Sequence, residues 1–330
     1  MTTPKGKTLR SQQIFKVIRR LVPWVAVGCV ILALLPRAAE LKLCLIRMNT
    51  EYLVIALVLC LAYWFLNAGV WSGILESLGY PLPYFTGMRV WLTSESLRWL
   101  PGVIWKFCSR VNAASGLGVP VAIASISLPI ELAVVVITWG IVAFAGLALS
   151  GLGSRILGLC AAWLVPICMT GLVVLFGLKL AWPVLIRQPR FSTALERLQT
   201  VLRLHLRRRP LIRSGLVYTV LNIFHGVGFW LMLAGMGYQH SVSPAAAIGA
   251  NAVGWIVGSL AIIFPGGIGV REASVALILS PLMPWQEATL AAALWRVLQI
   301  VAELAALLPW LFIGAGERKA PLSSLAEENS

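Results

Sequence analysis

Residues 264–272 read Phe264-Pro265-Gly266-Gly267-Ile268-Gly269-Val270-Arg271-Glu272, three glycines, a proline and an Arg–Glu pair set inside apolar sequence. A helix facing lipid does not accept this combination. Proline removes an amide donor and clashes with the preceding turn, and a charge at bilayer depth costs about 2.5–3.5 kcal/mol or more. Irregular backbone survives at that depth only where protein buries it or where it lines a polar cavity. The stretch therefore reads as the turn of a broken or re-entrant segment, and as part of a binding site.

That reading needs a membrane protein, and the composition supplies one. Hydrophobic residues make up 59% of the 330, and the mean hydropathy is +0.87, which favours one bundle of membrane helices over two soluble domains. The net charge of +15 is concentrated beside apolar segments. One block is Lys5, Lys7, Arg10, Lys16, Arg19 and Arg20; the other runs from Arg187 to Arg213 and includes Arg207-Arg208-Arg209. Such blocks follow the positive-inside rule and suit anionic headgroups. They lack aromatic interleaving and a reader fold, so nucleic acid is set aside as a partner. The six cysteines contain no CxxC and read as small buried hydrophobes. The chain has no Asp, which argues against an Asp-bound metal or an aspartyl nucleophile, and no cofactor is called for.

Residues 1–20 form a basic cytoplasmic lead-in to a single transmembrane domain, 21–313, followed by a polar cytoplasmic tail, 314–330. Spans able to cross a bilayer are predicted near 21–36, 52–71, 119–149, 156–180, 214–236 and 285–313. Leu21–Pro36 reads as an uncleaved signal anchor rather than a cleaved leader. Two further stretches, 84–116 and 245–282, are apolar but interrupted by charges and Pro-Gly breaks. The linker 187–213 reads as a basic surface helix.

The two interrupted stretches resemble each other. One copy reads Trp71, Leu78-Gly79-Tyr80, Leu100-Pro101-Gly102, Arg110, Val119-Pro120; the other reads Trp230, Met236-Gly237-Tyr238, Phe264-Pro265-Gly266, Arg271, Met283-Pro284. Repeat one covers about 52–149 and repeat two about 214–313. If each stretch enters and leaves on one side, three crossings separate the repeats and their orientations oppose. The same count puts both basic blocks and both termini in the cytoplasm. The predicted fold is thus an all-α integral membrane protein, with about six spanning helices and two broken or re-entrant hairpins in an inverted-topology repeat.

Inverted repeats with broken helices place substrate near the midplane, with helix N-termini aimed at anions. Candidate binding residues are Gly266, Gly267 and Gly269, whose amides can approach a ligand, and Arg271, whose fork fits phosphate. Pro101 and Gly102 form the matching break. Glu131, Arg296 and Glu303 lie inside long apolar helices, where charges are rare; Glu272 adjoins Arg271 as a balancing charge. Arg98, Lys106 and Arg110 either join them or snorkel to the headgroups. The glycines serve a ligand or close helix packing. His225 reads as a helix–helix hydrogen-bonding residue.

The run Pro265–Glu272 resembles the signature of the lysylphosphatidylglycerol synthase transmembrane region, or flippase-like domain, family. Leu100-Pro101-Gly102-Val103-Ile104-Trp105 with Arg110 is similar to a first-half pattern of that family. The resemblance spans roughly 15–315. It implies a bacterial inner-membrane domain that moves or handles anionic or modified lipids. Bifunctional members add a soluble aminoacyltransferase, which is not expected here, so lysyl transfer is not carried over. The leading expectation is a non-enzymatic lipid translocase that moves a phosphate-bearing lipid between leaflets. The alternative is a non-transporting membrane partner that docks a cytosolic glycosyltransferase or other lipid-modifying enzyme through 187–213. An intramembrane lipid-phosphate enzyme is a third class, disfavoured because His205, His225 and His240 are scattered.

Overall fold

The computed structural model describes residues 46, 48–99, 104–153, 207–260, 267 and 269–313. The predicted lead-in, the spans near 21–36 and 156–180, the linker before residue 207 and the tail lie outside the described residues. Among the described residues the chain is helical, without strands. The helices are α1 (Thr50–Ser77), α2 (Tyr84–Glu95), α3 (Ile104–Ser115), α4 (Val121–Leu149), α5 (Arg208–Gly235), α6 (Pro244–Leu260), α7 (Val270–Leu279) and α8 (Trp285–Ile313), with a 3-10 turn at Ser96–Trp99.

Length sorts them. Helices α1, α4, α5 and α8 have 28 or 29 residues, about 42 Å at the helical rise, against the ~30 Å of a bilayer core. All four are also apolar enough to cross a membrane. Helices α2 and α3 have 12 residues each and α7 has 10, about 15–18 Å, too short to cross alone. Helix α6 is intermediate, with 17 residues or about 26 Å, so a long helix, two shorter ones and a long helix occur twice in order. The basic linker and the next span overlap: Arg208, Arg209 and Arg213 belong to α5. Pro210 is accommodated because it falls in the first turn, where its missing donor costs nothing.

The repeat extends to hydrogen bonds. Helix α1 ends with Gly79 at φ 86, Gly79 N–H donating to Glu76 and Tyr80 N–H to Leu75, both at 3.0 Å. Helix α5 ends with Gly237 at φ 92, its N–H donating to Ala234 (2.9 Å) and Tyr238 N–H to Leu233 (3.0 Å). Both are the left-handed cap that glycine adopts without strain.

The two halves are antiparallel. Asn49, which caps α1, donates its N–H to the carbonyl of Gly235, the last residue of α5 (3.1 Å); Arg207, which caps α5, donates to the carbonyl of Ser77, the last residue of α1 (2.7 Å). Arg213 pairs with Glu76 at the same end. Trp71, near the end of α1, donates to Ser127, near the start of α4 (3.2 Å). The α2–α3 hairpin therefore leaves and rejoins one end of the bundle. At the other end, Tyr238 donates to Glu287 of α8, so α6–α7 hangs from the opposite end. Helix α2 packs on α1, α6 on α5, α4 on α5 and α8 on α1, as a pseudo-two-fold relation between the halves requires.

Small residues allow a further contact across the repeats, α4 on α6. A Cβ on Gly146 of α4 would lie 2.7 Å from the Gly249 nitrogen and 2.8 Å from the Ala245 carbonyl of α6. Close backbone approach of this kind is how helices pack where lipid offers no hydrophobic drive. Gly140, on the same helix, meets nothing within 4 Å. Gly249→Leu is expected to cost about 1–3 kcal/mol by overpacking, read as a lower melting temperature in detergent, whereas Gly140→Leu leaves it within error.

Candidate functional site

A cavity of about 110 Å³ lies where the halves meet, lined from both. Asn67 of α1 and His225 of α5 both line it, and each stands ten residues before the end of its helix. The cavity thus sits on the pseudo-two-fold axis.

The repeat-one wall is an enclosed ion-pair network. Arg110 of α3 is only 2% exposed. Its guanidinium donates to Glu95 (2.9 Å), to Ser94 Oγ (2.9 Å) and to Glu131 of α4. It also lies 5.6 and 5.3 Å from the ring centroids of Trp71 and Trp91. Glu131 accepts in addition from Trp91 Nε1 (2.6 Å) and Tyr218 hydroxyl (3.3 Å). Lys106 pairs with Glu95 at 3.3 Å. Among the described residues two cations and two carboxylates meet on this wall, and aromatic donors take up further lone pairs of Glu131. A buried charge persists only when paired and hydrogen-bonded to this degree.

The repeat-two wall differs. Arg271 of α7 and Arg296 of α8 both donate to Gln299 Oε1, at 3.4 and 3.3 Å. The Arg271 guanidinium lies 5.9 Å from the Trp255 ring centroid, and Trp255 stacks on Trp139 (5.1 Å, 15°). Glycine makes room for that arginine: a Cβ on Gly258 of α6 would stand 2.9 Å from Arg271 Nε. Behind it, Trp295 Nε1 donates to Asn251 (3.0 Å), whose amide bonds His225 Nδ1 (3.0 Å), so the histidine is held between helices. Glu303 is buried on α8, two turns beyond Arg296 on the same face. Among the described residues four cations and two carboxylates line the cavity, and both carboxylates are engaged by Arg110.

The other candidates lie elsewhere. Glu272 accepts from Gly269 N–H at 2.6 Å and caps α7. Neighbours on a helix point in different directions, so it does not share the cavity with Arg271. Gly269 (φ 84) is that cap, and Gly267 (φ 71) packs against Gly258, where a Cβ would lie 2.5 Å from the carbonyl. Neither lines the cavity. Arg98 falls in the 3-10 turn, and its side chain is outside the described residues, as are Pro101, Gly102 and Gly266. Among the described residues no three His, Cys, Asp or Glu side chains converge as a metal site. Sequence reasoning passed over Glu95, Gln299, Tyr218 and Asn67. Aligning Gly79-Tyr80 with Gly237-Tyr238 would have set Asn67 opposite His225.

Removing one partner from the repeat-one network leaves a buried charge with too few contacts. Glu131→Ala is expected to cost about 3–5 kcal/mol, read as a large loss of the monodisperse gel-filtration peak after mild heating.

No curated protein matches the chain. The family model described as the lysylphosphatidylglycerol synthase TM region matches residues 23–306, which covers repeat one, all of repeat two but the end of α8, and every described cavity residue. With four helices long and apolar enough to span a bilayer among the described residues, this integral membrane protein belongs to the lysylphosphatidylglycerol synthase TM region family.

Proposed function

We propose that the central cavity receives the phosphate-bearing headgroup of an anionic or modified lipid, and that the protein carries this lipid between leaflets. The carrying observation is that two guanidiniums, Arg271 and Arg296, meet at one amide, Gln299, on the wall of a cavity lined from both halves. Two forked guanidiniums flanking one point suit the oxygens of a single phosphate. Gln299 can rotate its amide and donate a hydrogen bond where its oxygen now accepts. The neutral network around Arg110 would then act as the fixed wall of the site.

In this reading α2–α3 and α6–α7 are re-entrant hairpins entering the membrane from opposite faces. Alternating-access carriers built on inverted repeats bind substrate at the midplane in such a place. The Arg207–Arg213 end faces the cytoplasm of a bacterial inner membrane by the positive-inside rule. Transport, not turnover, is the activity.

The test pairs native mass spectrometry with a leaflet-exchange assay in vesicles containing fluorescent phosphatidylglycerol. Wild type should retain a phosphate-bearing lipid and accelerate exchange. Arg271→Ala should bind it about 10- to 100-fold more weakly, as for loss of a charge-assisted hydrogen-bonded contact, and exchange lipid correspondingly slowly. Folded Arg271→Ala protein with undiminished binding and exchange would sink the reading.

A further inference from the structure

On the other face of the α1–α5 pair runs a second, larger hollow of about 500 Å³. Its walls are apolar and open: Leu66 of α1 and Val217, Val220 and Phe224 of α5 are 40–50% exposed. Gly69 and Gly73 of α1 lie at its base, the first covered by the Tyr84 ring and the second facing Ser214; the Tyr84 hydroxyl donates to the Phe65 carbonyl (3.0 Å). At one end stands Arg213, its side chain 64% exposed, one turn from exposed Arg208 and Arg209.

The pseudo-symmetry makes this hollow informative. Under the pairing that sets Asn67 against His225, the positions of Gly69 and Gly73 are taken in the other half by Val227 and Leu231. Glycine therefore seats Tyr84 and Ser214 against α1 in one half only, and the hollow they border lies at the end that carries the arginines. From Arg213 to Phe224 the groove follows α5 for about 16 Å, close to half of the ~30 Å hydrocarbon core. An occupant of that length, apolar along its body and anionic at the Arg213 end, is a phospholipid of one leaflet.

We infer that this groove is a leaflet-specific site for an anionic phospholipid, with one acyl chain along Leu66, Val217, Val220 and Phe224 and the phosphate on Arg213. Arg213 now pairs with Glu76, and exposed ion pairs of this kind are weak, so a phosphate can displace the carboxylate. The site is separate from the central cavity and stands whether or not that cavity holds a headgroup.

Photolabelling in nanodiscs tests it, using phosphatidylglycerol and phosphatidylcholine that carry a diazirine in the acyl chain. Adducts mapped by peptide mass spectrometry should concentrate on 66–73 and 214–224 and favour phosphatidylglycerol. Arg213→Gln should reduce that preference about fivefold, the effect of one basic side chain near an anionic surface. Val217→Trp fills the groove from an exposed position and should abolish those adducts while sparing the outer face of α4 at Ile137, Ile141 and Phe144. Labelling of the groove and the α4 face alike, without headgroup preference, would reduce the groove to bulk lipid contact. Groove adducts that survive Val217→Trp, or no groove adducts in the wild type, would equally overturn the proposal.

Discussion

The antiparallel pairing of α1 with α5 is the constraint on which the rest of the structure depends. Each helix donates the amide of its N-terminal cap to the last carbonyl of the other, Asn49 to Gly235 and Arg207 to Ser77. Helix ends leave such groups without intrahelical partners, so the exchange satisfies one donor and one acceptor at each end. It also sets the register of two 28-residue helices. Once that register holds, everything hung from α1 has a counterpart hung from α5, and the hairpins must enter from opposite ends. Asn67 and His225 come to face one hollow for the same reason.

On this symmetric frame the charges are not symmetric. Repeat one surrounds its arginine with two carboxylates, a serine and two tryptophans. Repeat two places two arginines on one amide oxygen. The first arrangement compensates its charge internally and has little left to offer a ligand. The second sets two guanidiniums side by side at the cavity, with Glu303 buried further along α8. Related hairpins thus hold their arginines in different ways.

Much of the fold was legible because membrane helices contrast strongly with their surroundings in hydropathy. The interrupted stretches expected at 84–116 and 245–282 correspond to α2–α3 and α6–α7, and the last span, 285–313, coincides with α8. Arg271, Arg296, Glu131 and Arg110 stood out because charge in apolar sequence is conspicuous, and the structure gathers all four around one cavity. Neutral polar residues carry no such contrast, so Gln299, Asn67 and Tyr218 were invisible until helix faces were known. Glu272 shows the opposite limit. Adjacent to Arg271 in sequence, it reads as a partner, but one residue of helix turns it away to cap α7.

The signature glycines show how a motif can serve a site without touching it. Gly267 lies against the Gly258 backbone, and Gly258 lies against Arg271. A side chain at either position would push α7 away from α6, and with it the guanidinium away from Trp255 and Gln299. Glycine therefore matters here through distance: it allows α7 to start close enough to α6 that the second residue of that helix reaches the axis of the molecule. Charge placement of this kind tolerates little slack, because electrostatic interaction at low dielectric changes steeply over an ångström or two. The conspicuous break in the sequence and the arginine beside it are two parts of one device, the first setting the position at which the second can act.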